Sequence, residues 1–395
     1  MSTSPIARSS DLSRLRAEGF DIRIADGHLV VRDIPYVDES RTVRLGALAC
    51  VLDLCGDSTV QPQTHVMKFA GEYPCTPTGQ ALEPIRHSNI VETIGGLTFN
   101  FSFSSKPMSG TYPDFYEKVT AYASILSDQA RALDPTVDPR TFQPVETSPE
   151  ESVFLYEDTA SARAGTTSAN EKLRGQRIAI IGLGGTGAYI LDAVAKTPVQ
   201  EIHLYDGDRL LTHNAFRAPG AVTLAELRAQ PTKVEHWATT FGALRRGVIP
   251  HPYAITTENV SGLDTMDVVF VAVDESAAKR PIIEHLEQVA VTFIDCGMGL
   301  SLTDDDQVRG QLRVTTSTPN KREHVHDLGR IPLGDPVADN AYSTNLQVAE
   351  MNALNALMAV VRWKKLAGFY VDSEHEHDMT YIVDGNEIIN QDSAP

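Results

Sequence analysis

The stretch RIAIIGLGGTGAYILDAVAKTPVQEIHLYDGDRLLTHNAFR, from Arg177 to Arg217, decides the reading of the chain. Its opening run, Ile178-Ala179-Ile180-Ile181, is short, apolar and β-branched, the mark of a buried parallel strand. Glycines come next at Gly182, Gly184, Gly185 and Gly187. Tyr189, Leu191 and Val194 then recur at helical spacing up to Pro198, and a second strand, Ile202 to Tyr205, ends on Asp206. A strand, glycine turn, helix and strand with an acid at the second strand's tip predicts a nucleotide site. Unpaired N–H groups and the positive dipole end at the helix N-terminus favour phosphate, and Asp206 is placed to accept hydrogen bonds from ribose hydroxyls.

Taken alone, the unit points first to a dinucleotide-dependent oxidoreductase. The residues beyond Asp206 argue for a triphosphate instead. Asp208, Asn214 and Arg217 come directly after the ribose-binding acid, where hydride transfer has no need of them. Charge spread over several phosphate oxygens does need matching cations and donors. The order continues with Lys233 in Gln230-Pro231-Thr232-Lys233, and with Asp274 at the end of an apolar run from Val268 to Val273. That is where open α/β sheets bind ligands.

The ordered set Gly182-Leu183-Gly184-Gly185-Thr186-Gly187, Asp206-Gly207-Asp208, Asn214-Ala215-Phe216-Arg217, Lys233 and Asp274 resembles the ThiF, MoeB and ubiquitin-activating (E1-like) adenylyltransferase family, in its bacterial type with an N-terminal extension. The resemblance covers roughly the second half of the chain. It implies a doubly wound, mostly parallel, Rossmann-like α/β sheet preceded by a smaller α+β domain. It further implies an enzyme that uses ATP and Mg²⁺ to adenylate the C-terminal carboxylate of a ubiquitin-like protein, for transfer to a conjugating-type carrier protein. In that scheme the glycine turn lets backbone approach the nucleotide, Asp206 holds the ribose, and Asp208 assists the ribose or the metal. Asn214, Arg217 and Lys233 grip phosphates, and Asp274 holds Mg²⁺, an ion that needs few protein ligands. The family also places an upstream arginine on the phosphates of the partner subunit of a homodimer. Arg163 matches it best by position, with Arg174 the alternative. Each residue has a plainer reading: a solvated arginine for Arg163 or Arg174, a surface lysine for Lys233, and the N-cap of a helix starting at Glu275 for Asp274. An NAD-dependent oxidoreductase and a non-catalytic nucleotide-binding scaffold are the competing functions. Relatives often carry two CxxC pairs for zinc, but no cysteine comes after Cys296, so no structural zinc is expected.

Composition bounds the rest. The 395 residues give room for two or three cores, and a net charge of -18 argues against nucleic acid or an anionic membrane as partner. No apolar run is long enough to span a bilayer, and the opening MSTSPIARSSDLSRL lacks a signal-peptide core. Four cysteines without tight pairing (Cys50, Cys55, Cys75, Cys296) predict a reducing cytoplasm, and the apolar run around Cys50 and Cys55 predicts buried thiols.

The pattern divides into an α+β domain over residues 1–134, a Pro-rich linker over 135–150 and the adenylation domain over 151–395. Asp26-Gly27 predicts a hairpin, Leu97 to Phe103 a half-buried strand, and Pro113 to Leu133 a helix with proline at its start. Thr64 to Cys75 reads as a strand and turn rather than a nucleophile site. A polar helix is expected to end near Gly175. Further helices are expected from Val222 to Phe241 and from Asn345 to Leu366, and a strand from Gln311 to Thr315. Two histidine pairs, His324/His326 and His375/His377, read as solvated. Ubiquitin-activating relatives usually carry an acceptor cysteine in a crossover segment. The stretch after Arg313 has none, offering only Ser317 and Thr318, with His324 as a base.

Overall fold

The computed structural model describes residues 5–333 and 346–393. Two compact units divide the chain, residues 1–151 with 157–165, and residues 152–156 with 166–395.

The first unit is a six-stranded antiparallel sheet. Its order is Ile22–Ala25, His28–Val37, Val43–Val51, Val66–Ala70, Leu97–Ser104 and Arg86–Ile94. Asp26 and Gly27, both at positive φ, make the first hairpin turn. Helices Ser10–Ala17 and Phe115–Arg131 bury Leu12, Leu15, Phe115, Val119, Tyr122 and Leu126 with Leu29, Leu48, Phe69 and Phe103 of the sheet. Asp114 caps the long helix by accepting the Glu117 N–H at 2.8 Å, so Pro113 stands outside the first turn rather than in it. Residues 135–150 carry no helix or strand. Cys50 is buried, but Cys55 is exposed on the short strand Leu54–Cys55, against the expectation that both are buried.

The second unit is an α/β fold around an eight-stranded sheet. The order is Val248–His251, Glu201–Tyr205, Arg177–Ile181, Val268–Val271, Thr292–Leu302, Val308–Ser317, Asp378–Ile382 and Glu387–Gln391. The first five strands run parallel and the last three join antiparallel. Alternation along Arg177–Ile181 explains why both faces are covered. Ile178 and Ile180 pack with helices Gly185–Ala195, Lys233–Gly242 and Ala349–Leu366, while Ala179 and Ile181 pack with Ser276–Gln288 on the other side. The strand order turns back at Arg177–Ile181, the switch point where such sheets open a crevice. Among the described residues no helix is long and apolar enough to cross a membrane.

Several expected elements are corrected. The helix expected over Val222–Phe241 is two, Leu224–Ala229 and Lys233–Gly242. Gln230 in the left-handed region and Pro231 stop the first, and a Thr232/Glu235 capping box starts the second. The polar helix expected before Gly175 breaks into Thr159–Ala164, Thr167–Asn170 and a 3₁₀ turn, because Gly165 takes a left-handed C-cap. The strand expected over Gln311–Thr315 is longer, Val308–Ser317, and pairs with a strand on each side, so the first residues after Arg313 lie in the sheet. His324 and His377 are buried, not solvated. Residue Asn345, the expected start of the last long helix, lies outside the described residues. That helix buries Ala356, Ala359 and Trp363, and leaves Leu357 and Val361 exposed.

Candidate nucleotide site

Gly182 leaves the first strand of the second unit with φ at 88°, a region closed to most side chains. At Gly187 a Cβ would overlap the Gly182 carbonyl oxygen, so the turn closes on itself only with glycine there. At Gly184 a Cβ would meet nothing within 4 Å, so that side of the turn is open. Helix Gly185–Ala195 begins here with Gly184 as its N-cap and no side chain on its first N–H groups. Such a terminus favours an anion.

Asp206 holds this turn. Only 9% exposed, it accepts the Leu183 N–H at 2.7 Å on Oδ2 and the Asp208 N–H at 2.8 Å on Oδ1. Lys233, the first residue of its helix, places Nζ 3.3 Å from Asp206 Oδ2 and 2.7 Å from Asp208 Oδ2. A buried ammonium at the positive end of a helix requires such carboxylate compensation. The Lys233 N–H also donates to the Asp208 carbonyl at 2.9 Å. Asp208 keeps its side chain largely exposed, at 77%. Three segments far apart in sequence therefore meet through Leu183, the Asp206–Asp208 loop and Lys233.

Asn214 is buried and accepts the Leu211 N–H at 2.9 Å on Oδ1, which fixes the short turn Thr212–Ala215 and leaves its amide NH₂ as the group that can donate. The Arg217 N–H donates to the Asn214 carbonyl at 3.0 Å. Its Nε is buried without a hydrogen-bond partner among the described residues, which suits an incoming phosphate oxygen. Asp274 lies three residues beyond strand Val268–Val271, exposed on the border of a cleft of about 260 Å³. Helix Ser276–Gln288 starts one residue later than expected, with Glu275 as its N-cap and no side-chain cap bond. Thr186 of the glycine turn lines the same cleft. A magnesium ion fits an exposed carboxylate of this kind, since Mg²⁺ keeps several waters and takes few protein ligands. Among the described residues no group of three or more His, Cys, Asp or Glu is placed to hold a metal.

Arg163 is exposed in the last turn of Thr159–Ala164, in the first unit. Arg174 is engaged with both carboxylate oxygens of Glu171, at 2.6 and 2.7 Å. The cleft is lined by residues that the sequence reading missed, Lys279, Arg313, Asn352 and Asn355, with Asp295 fully buried behind the two cations. One signal was available, an acid inside the apolar run Val291 to Cys296, since a charge there needs a partner. Cys296 also lines the cleft, and burial pushes its thiol up to about 12.

A doubly wound α/β sheet with a glycine turn, an acid at the next strand tip and cations beyond it defines a nucleotide-binding protein of the Rossmann-like class. The ThiF family model matches residues 158–380, more than half of the chain, and the chain belongs to that family. A model described as a domain of unknown function (DUF6791) matches residues 10–159. Membership of the ThiF family supports nucleotide-dependent adenylation of a substrate carboxylate. Among solved structures, E. coli MccB with MccA-N7isoASN is 15% identical, with 57% of this chain and 67% of that chain covered and a TM-score of 0.44. E. coli MccB with ATP gives 16%, the same coverages and a TM-score of 0.44. PaaA is 14% identical over 71% of this chain and 92% of that chain, with a TM-score of 0.46. These likenesses are distant, and the family assignment rests on the sequence match. A search of curated proteins finds no match.

Proposed function

We propose that this protein uses ATP to adenylate the C-terminal carboxylate of a ubiquitin-like protein, and that the acyl group then passes to a separate carrier. The observation that carries the reading is Lys233 bonded to both Asp206 and Asp208 while Asp206 holds the glycine turn through Leu183. A hydride-transferring enzyme needs neither the buried lysine nor the orphaned Arg217 Nε.

The substrate carboxylate oxygen bonds to the α-phosphorus of ATP, and the bond from that phosphorus to the bridging oxygen breaks. Pyrophosphate leaves with the electron pair. The chain's part is positioning and charge neutralisation. Gly182, Gly184, Gly185 and Gly187 admit the nucleotide close to backbone, and Asp206 orients the ribose. Asn214 donates through its amide, while Arg217 and Lys233 offset phosphate charge. Asp274, with Asp208, would hold Mg²⁺, which supplies further charge neutralisation on phosphate oxygens when bound. The protein acts as a homodimer in this reading, with Arg163 donated across the interface and Arg174, already engaged by Glu171, the lesser choice. It works in the cytoplasm, without nucleic acid or membrane.

The test is nucleotide preference, then exchange. ATP with Mg²⁺ raises the melting temperature and NAD does not, as a ligand selective for the native state must. Radiolabelled pyrophosphate enters ATP only when a small protein with a glycine C-terminus is added. Tighter binding of NADH than ATP in calorimetry would favour the oxidoreductase, and ATP binding without exchange would favour the scaffold.

A further inference from the structure

Helix Ala349–Leu366 reaches the glycine turn through one side chain. Asn352, 1% exposed on that helix, accepts the Thr186 hydroxyl at 2.9 Å on Oδ1 and donates Nδ2 to the Val348 carbonyl at 3.2 Å. Its amide also packs on Gly185, where a Cβ would come within 2.6 Å of Nδ2, Cγ and Oδ1. The glycine at 185 thus makes room for a side chain of this chain, whereas Gly184 faces open space. The helix is itself a fixed reference. Trp363, wholly buried near its end, donates Nε1 to Gln176 Oε1 at 2.9 Å, one residue before the strand that feeds the turn. Asn355 donates its amide nitrogen to the Gly297 carbonyl at 3.0 Å, on strand Thr292–Leu302.

The turn needs such a hold. It carries Gly182, Gly184, Gly185 and Gly187, whose backbone has the most freedom to lose, and the first N–H groups of helix Gly185–Ala195 have no side-chain cap. Phosphate oxygens bind best where those N–H groups already point. The bond to Asn352 also limits what Thr186 can do in the cleft it lines. Its one hydroxyl hydrogen is committed, so the hydroxyl has only lone pairs left, which a phosphate oxygen avoids. We propose that Asn352 is a positioning residue for the nucleotide. By holding Thr186 and filling the space over Gly185, it sets the first turn of helix Gly185–Ala195 so that the N–H groups face the phosphates before ATP arrives. Asparagine suits the post because it accepts and donates at once, its oxygen on Thr186 and its nitrogen on its own helix. The inference deepens the adenylation reading and rests on its ATP binding alone, whatever the acyl substrate.

Calorimetric titration of the full chain with ATP and Mg²⁺ tests this by a double-mutant cycle. Thr186→Val removes the hydroxyl and keeps the shape, and Asn352→Leu removes the acceptor and keeps most of the volume. Each weakens ATP binding about tenfold, as the loss of one buried hydrogen bond allows, and the double variant is no weaker than either alone. Thr186→Ser, which keeps the hydroxyl, binds ATP like the unaltered protein. Adenosine has no phosphate to set against the turn and binds all of them alike, as it would not if the fold had merely loosened. Unaltered ATP affinity in both single variants, or losses that multiply in the double variant, would overturn the proposal. So would a loss in Thr186→Val without one in Asn352→Leu, which would put the hydroxyl on the phosphates directly. All three outcomes leave adenylation standing, whereas failure of the unaltered protein to bind ATP would sink that reading itself.

Discussion

Lys233 and Arg217 are cations in opposite circumstances. Lys233 is neutralised in place by Asp206 and Asp208, whereas Arg217 has a buried nitrogen still unpaired among the described residues. In the resting protein the two carboxylates hold Lys233 beside the glycine turn, where it can act on the phosphates together with the Arg217 nitrogen. Arg217→Ala and Asp274→Ala should each give a folded protein whose substrate-dependent pyrophosphate exchange falls by about a hundred to a thousandfold, the usual cost of one charge-stabilising contact. Exchange at the unaltered rate in both would remove them from the site. Asp206→Ala has a second effect. It frees the Leu183 and Asp208 N–H groups and leaves Lys233 with only the exposed Asp208 carboxylate. Stability should drop by about 1–3 kcal/mol in a urea melt, alongside lost ATP binding. A variant of unchanged stability would mean that Asp206 does not hold the turn.

At the scale of elements, the glycine turn separates two requirements that the sequence presents as one motif. Gly187 is needed by the fold, since any Cβ meets the Gly182 carbonyl, while Gly184 faces open space. Gly187→Ala should therefore cost about 1–3 kcal/mol of stability. Gly184→Ala should stay within about 0.5 kcal/mol of the parent and yet bind ATP more weakly, because the added methyl occupies the nucleotide's approach. A Gly184→Ala protein with unaltered ATP affinity, measured by calorimetry, would place the phosphates elsewhere. The same elements explain what could be read in advance. Arg177–Ile181, Glu201–Tyr205 and Val268–Val271 were legible because a strand buried on both faces is a continuous apolar run, a local property. The break at Gln230-Pro231 is also local, but an apolar period spanning both halves masked it. Lys279, Asp295 and Arg313 meet only through packing between a helix and two antiparallel strands, and no spacing in the chain encodes that register. The placement of Val308–Ser317 escaped for the same reason, since its partner Asp378–Ile382 lies far along the sequence.

Over the whole molecule, the distribution of thiols and hydroxyls decides whether the activated acyl group can rest on this chain. A thiol becomes an acceptor as its thiolate, of which an ordinary cysteine holds a few per cent at neutral pH. Burial pushes Cys296 up to about 12 and Cys50 up to about 11, so the thiolate fraction at pH 7 falls to about one part in ten thousand or less. Burial raises Cys75 as well. Cys55 is exposed on the short strand Leu54–Cys55 and is the thiol that the test below has to include. Of the two hydroxyl candidates, Thr318 is half-buried and Ser317 is closed off. Ser317 is wholly buried in the sheet, and buried His324 has its Nε2 against the Thr316 carbonyl at 3.0 Å. The same burial lowers the His324 pKa, which keeps the ring neutral but gives it no access to a mobile substrate. The chain should therefore make the adenylate and no lasting thioester of its own. On a denaturing, non-reducing gel with ATP, Mg²⁺ and a ubiquitin-like protein that supports exchange, no thiol-sensitive adduct of this chain should appear. An adduct that reductant removes and that is lost in Cys296→Ala, Cys75→Ala or Cys55→Ala would show that the chain carries the acyl group after all, and the mutation that abolishes it would name the acceptor.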